Sequence, residues 1–128
     1  MKTRWMILMM GLLGLSACGA DVPVKISQED LLKRQADKVA FLLLDVRSAP
    51  EFQQGTIAGS TWMPHGEVAA RLAELEKFKD KAIIVYCQSG VRSGKAIKVL
   101  KANGFAKAVQ LDGDYGAWVR AGRPVVKP

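Results

Sequence analysis

The chain has 128 residues, 49% of them hydrophobic and 24% charged, which is enough for one compact domain and too little for two. Its formal charge of +7 suits small anionic substrates or an anionic membrane surface. Nucleic acid is excluded as a partner, because the basic residues form no run and no aromatic stripe is interleaved with them.

The first residues stand apart from the fold. Lys2 and Arg4 form a charged start, and Trp5 to Leu15 is an apolar stretch too short to span a bilayer comfortably, so residues 1–17 read as a signal peptide that includes Met6, Met9 and Met10. Leu15-Ser16-Ala17-Cys18 resembles the lipobox of bacterial lipoproteins. That resemblance implies lipid on Cys18, residues 18–24 as a lipidated tether, and a domain over 25–128 that faces the periplasm; Gly19 after the cysteine points to the outer membrane. Two or more acyl chains would anchor the protein firmly. The alternative is an ordinary signal peptide in which Cys18 is incidental. Removing Lys2 and Arg4 leaves 17 basic against 12 acidic side chains, a balance of +5. Of the two cysteines, lipidation of Cys18 leaves Cys87 alone and excludes an internal disulfide. An exported free thiol is exposed to oxidation.

Val24-Lys25-Ile26 alternates as a short edge strand, and Ser27 to Asp30 resembles a capping box opening a helix through Leu31 and Leu32 toward Ala36. Val39 to Val46 is an apolar run broken only by Asp45, as in a parallel strand covered on both faces. Pro50 to Gln53 reads as one helical turn, Gly55 to Gly59 as a loop, and Ser60 to Met63 as a strand closed by Pro64. From Glu67 to Phe78, the spacing of Val68, Leu72 and Leu75 predicts a helix, with Glu67 and Arg71 as an i,i+4 pair. Ala82 to Tyr86 is the central strand, and Ser93 to Ala102 a helix closed by Asn103-Gly104. Ala108 to Leu111 is the last strand, and Tyr115 to Arg120 the last helix. Trp62, Phe105 and Trp118 are expected in the core, and His65 in a surface loop. Alternating strands and helices predict an α/β fold: a mainly parallel central sheet with helices on both faces.

Sites in such sheets form at the carboxyl ends of the strands. There the sequence reads Tyr86-Cys87-Gln88-Ser89-Gly90-Val91-Arg92-Ser93. Cys87 follows the central strand, and a helix begins just after. Backbone N–H groups and the helix N-terminus make a positive concavity that favours a thiolate, with Arg92 as a fixed cation beside it. Cysteine at a strand end is also a common small core residue, but Gln88 to Arg92 is polar and small, with Gly90 allowing unusual backbone angles.

The stretch from Cys87 to Ser93 resembles the active-site loop of the rhodanese (sulfurtransferase) family. Leu44-Asp45-Val46-Arg47 with Glu51-Phe52 and Gly55 to Ser60 is similar to the family's first signature, and Leu111-Asp112-Gly113 with Ala117-Trp118 to its closing one. The resemblance runs from Ile26 to Val125, with departures at Thr56, where the family often has histidine, and at Asp114, where it often has a second glycine. It implies a rhodanese-like fold and transfer of a sulfane sulfur from a small anionic donor such as thiosulfate. The sulfur would travel through a Cys87 persulfide to cyanide or a thiol. The amides of Gln88, Ser89, Gly90, Val91 and Arg92 would hold donor and persulfide, with Arg92 binding a donor oxyanion.

Asp45, Arg47, Glu51 and Ser93 are expected as supporting residues. Asp45 would cap loop N–H groups, and Arg47 with Glu51 would form a bracing ion pair. No Cys/His ligand set exists, so neither a metal nor a cofactor is expected. Two other readings are a cysteine-dependent phosphatase and a lipid-anchored binding module without turnover. Phosphatase loops place five residues between Cys and Arg, whereas Gln88, Ser89, Gly90 and Val91 make a shorter loop here, better fitted to a sulfur atom than to a phosphoryl group.

Overall fold

A computed structural model describes residues 24–128; the predicted signal peptide and Cys18 lie outside the described residues. Five parallel strands form one sheet: β1 (Lys25–Ile26), β2 (Phe41–Asp45), β3 (Ser60–Trp62), β4 (Ala82–Tyr86) and β5 (Ala108–Leu111), in the order β1-β5-β4-β2-β3. The apolar runs explain the arrangement. β2 and β4 lie inside the sheet, so both faces of each strand need apolar cover.

Successive side chains alternate between the two faces. Leu42, Leu44, Ile83 and Val85 pack on one side with Ala96, Ile97 and Leu100 of α3 (Val91–Ala102). Leu43, Ile84 and Leu111 pack on the other with Leu31 of α1 (Gln28–Ala36) and Trp118 of α4 (Asp114–Arg120). The sheet therefore carries helices on both faces, as the sequence predicts. Ser27 caps α1 by accepting the Asp30 N–H at 3.1 Å, and α3 closes at Gly104, whose φ of 89° lets the Phe105 N–H reach back to the Leu100 carbonyl at 3.0 Å. Helix α2 (Ala49–Gln54) sits beyond the end of β2, opened by Ser48 and Pro50.

Four expectations change. The single helix over 67–78 is instead two 3₁₀ stretches, His65–Glu67 and Leu72–Phe78, with Val68 just after the first and Leu75 within the second still buried. In a 3₁₀ turn, residues three apart eclipse each other. Arg71 accordingly makes its short bonds to Glu74, at 2.7 and 2.9 Å, while the predicted Glu67 pair is longer at 3.5 Å. Second, β2 begins at Phe41, and Val39 remains 48% exposed ahead of it. Third, Trp62 is only half-buried: its ring stacks on Phe52 at 5.6 Å and its Nε1 donates to the Arg47 carbonyl at 2.8 Å, so it covers the α2 junction rather than filling the core. His65 likewise lies within a helical turn, half-buried, its N–H donating to the Val46 carbonyl at 3.0 Å.

Candidate active site

The carboxyl ends of β2 and β4 are neighbours, with Asp45 opposite Tyr86 in the register. Cys87 leaves β4 and enters a tight loop that becomes α3 at Val91, two residues earlier than the sequence suggests. The turn requires Gly90, whose φ of 119° lies in the left-handed region. That geometry points the Gly90 N–H back at Cys87 Sγ, 3.0 Å away, and brings Ser93 Oγ to 3.5 Å from the same sulfur.

Of the expected ring of amides, Gly90 is the one that reaches the sulfur of Cys87. The N–H groups of Ser89, Val91 and Arg92 make no hydrogen bond among the described residues, and the side chains of Ser89 and Val91 are exposed around the cup. Cys87 itself is 1% exposed and packs against the α3-side core. Such a cup can stabilise a linear anionic sulfur by aimed donors.

The floor is held from α4. The Tyr115 and Gly116 N–H groups donate to the Cys87 and Gln88 carbonyls at 2.9 and 3.0 Å. Asp114, buried with a φ of 55°, accepts the Cys87 N–H at 2.9 Å, the Ser93 hydroxyl at 2.7 Å and the Gln110 amide at 2.6 Å. The left-handed conformation is one that aspartate tolerates better than most residues.

The ion pairs differ from those expected. Arg92 is bonded to Glu51 twice, at 2.6 and 3.0 Å, and lies close enough to Cys87 for the sulfur to influence it. Glu51 is pulled down to about 2, chiefly by the Arg92 bonds and further by Ser48, and it raises Arg92 in return. Arg47 does not brace Glu51. Its side chain turns back at the end of β2 and clamps Asp45, with Nε at 3.0 Å from Oδ1 and a terminal nitrogen at 2.7 Å from Oδ2, and the Gly55 carbonyl is 2.6 Å away. The Tyr115 ring lies 3.8 Å from its guanidinium carbon. Burial lowers the Arg47 guanidinium, but the bonds and charge of Asp45 outweigh it and leave it raised. Asp45 also caps the Arg47 N–H at 3.0 Å, as predicted, and accepts the Thr56 hydroxyl at 2.9 Å. Thr56, Ser60 and Ile57 converge on the Tyr86 hydroxyl, whose titration is raised first by burial and then by Asp45.

The profile of the rhodanese-like domain family matches residues 27–121, which include this loop and both flanking signatures. The chain belongs to the rhodanese-like domain family. A protein of Allochromatium vinosum named sulfurtransferase is 36% identical over 104 residues, covering 81% of this chain and 95% of that protein. Among solved structures, a rhodanese-related protein from Thermoplasma volcanium superposes with a TM-score of 0.72 at 32% identity, covering 82% of this chain and 99% of the other. The human single-domain sulfurtransferase TSTD1 superposes with a TM-score of 0.66 at 26% identity, over 77% and 96% of the two chains.

In this rhodanese-like domain, Cys87, Gly90, Arg92 and Ser93 are brought together as the sequence suggests, with Glu51 added through Arg92. Asp45 and Arg47 lie beside them as a separate buried clamp. Sequence reasoning missed Asp114 and Gln110, which reach the loop from β5 and α4. The available signal was the charged residue standing in a stretch of small ones after Leu111.

Proposed function

We propose that this rhodanese-like domain is a sulfurtransferase working through a persulfide on Cys87. The observation that carries the reading is the Gly90 N–H aimed at Cys87 Sγ from 3.0 Å, in a loop whose Ser89, Val91 and Arg92 amides have no hydrogen-bond partner among the described residues. In the first half-reaction the Cys87 thiolate attacks the outer sulfur of a donor such as thiosulfate. A new S–S bond forms, the donor S–S bond breaks, and sulfite leaves with the electron pair. In the second, cyanide or a thiolate attacks the terminal sulfur and restores the Cys87 thiolate, the two-step pattern of covalent catalysis. Gly90 and the amides of Ser89, Val91 and Arg92 would hold the charge on the transferred sulfur. Arg92 would contribute to the local field while remaining bonded to Glu51.

The lipobox-like Leu15 to Cys18 supports export as a lipoprotein anchored through Cys18 and facing the periplasm, with outer-membrane placement from Gly19. Cyanolysis after loading with thiosulfate tests the activity. Thiocyanate should form with the native chain and not with Cys87→Ser; release of inorganic phosphate from a phosphoester without thiocyanate would move the reading to a phosphatase. Mass spectrometry of the mature protein tests the anchor, through lipid on its first residue, and the intermediate, through an added sulfur on Cys87.

A further inference from the structure

The two charged groups bonded at the cysteine loop, Arg92 and Asp114, do not favour a heavily charged donor. Arg92, beside Cys87, is already matched by Glu51 through bonds of 2.6 and 3.0 Å. Below the loop, Asp114 is 1% exposed and receives three hydrogen bonds, from the Cys87 N–H and Ser93 hydroxyl on Oδ1 and from Gln110 Nε2 on Oδ2. Its three partners are all donors, the demand that a carboxylate meets. Ser93 Oγ lies 2.7 Å from that carboxylate and 3.5 Å from Cys87 Sγ, so a single hydroxyl separates the buried charge from the reacting sulfur. Asp114 and Gln110 also form the wall behind Gly90, where a Cβ would stand 3.2 Å from Asp114 Oδ2 and 2.8 Å from Gln110 Nε2. A fixed negative charge in such a water-poor setting acts strongly on any anion entering the cup.

Resting on the sulfur-transfer reading above, we propose that Asp114 is a specificity-determining residue that selects singly charged or neutral sulfane donors, such as persulfides and thiosulfonates, over dianionic thiosulfate. The chemistry is unchanged by this choice. With a thiosulfonate, the Cys87 thiolate takes the terminal sulfur, the donor S–S bond breaks, and a sulfinate leaves with the electron pair. What changes is the repulsion between Asp114 and the donor's second charge.

Methanethiosulfonate and thiosulfate make the test, because they deliver the same sulfur from a tetrahedral centre and differ by a methyl group in place of a charged oxygen. The ratio of their kcat/KM values, read as thiocyanate formed with cyanide as acceptor, is compared between the native chain and Asp114→Asn. Asparagine keeps the shape and the Oδ1 acceptor, and Gln110 can turn its amide to suit. The native chain should favour methanethiosulfonate, and Asp114→Asn should move the ratio at least threefold toward thiosulfate. A purely structural role lowers both donors together and leaves the ratio unchanged. A change smaller than threefold overturns the assignment. Asp114→Ser, neutral and smaller, carries the same expectation if the asparagine variant does not fold. If the native chain transfers sulfur from neither donor, the sulfurtransferase reading itself fails; if it turns over both and the ratio stays fixed, only the role of Asp114 fails.

Discussion

Replacing Arg47 with methionine should be among the most damaging single changes to this domain, although Arg47 does not touch the cysteine loop. Methionine keeps the apolar stem and removes the guanidinium. That leaves Asp45, which is 0% exposed, with only the Arg47 N–H and the Thr56 hydroxyl as donors. Breaking a buried pair from one side costs about 3–5 kcal/mol, because the surviving charge stays buried. Loss of the stacking on Tyr115 adds to this. Against a total stability of about 5–15 kcal/mol, that loss is roughly a fifth of the whole or more. With a urea slope of about 2 kcal/mol/M, the midpoint should fall by roughly 2 M at an unchanged slope. The sign of a second substitution makes the test sharper. Adding Asp45→Asn to Arg47→Met removes the stranded charge, so the double variant should be more stable than Arg47→Met alone. A midpoint shift below about 0.5 M for Arg47→Met, or a double variant weaker than the single, would refute the clamp argument.

Three further outcomes follow from the geometry. Glu51 is held at about 2 in the fold against an ordinary value of 4.5, so its contribution is full above pH 4.5 and is lost as pH falls toward 2. The stability difference between the native chain and Glu51→Gln should be about 1 kcal/mol at pH 7 and should vanish in urea titrations near pH 2. Gly90→Ala should cost about 2 kcal/mol and abolish thiocyanate formation in the cyanolysis assay, since φ is 119° and the new Cβ would meet Gln110 Nε2 at 2.8 Å. Tyr86→Phe removes the oxygen that accepts the Ile57 N–H at 3.1 Å, and should lower stability by about 1–3 kcal/mol in thermal melts while Cys87 still reacts with iodoacetamide.

The sheet was legible because β2 and β4 are nearly unbroken apolar runs, and Tyr86-Cys87 marks where β4 ends. The cysteine loop was legible for a related reason: small polar residues directly after a buried strand have few roles other than a turn with exposed amides. The 67–78 stretch was misread because apolar positions four and three apart suit an α-helix as well as a chain of tighter turns. Arg47 and Glu51 are spaced as helical partners are, but Arg47 stands before α2, at the end of a strand, where its side chain folds back onto Asp45. Asp114 showed only as a charge among small residues, and its role was hidden for a deeper reason. Its three bonds go to β5, to the residue after β4 and to α3, so its meaning exists only once those segments have met.

The segment after α4 returns to the middle of the chain: Thr56 and Val126 exchange two backbone hydrogen bonds of 2.8 Å, Trp118 Nε1 donates to the Pro124 carbonyl, and Arg123 reaches Gln28 and Glu29. Thr56 is also a donor to Asp45. The clamp at the end of β2 is therefore finished by the residues made latest among those it depends on. During synthesis the strands can assemble while that corner stays unsealed. A protease cut at the Arg123-Pro124 junction, or a bulky tag placed just beyond Trp118, would unfasten a corner that lies far away in sequence and leave the nucleophile's own loop intact.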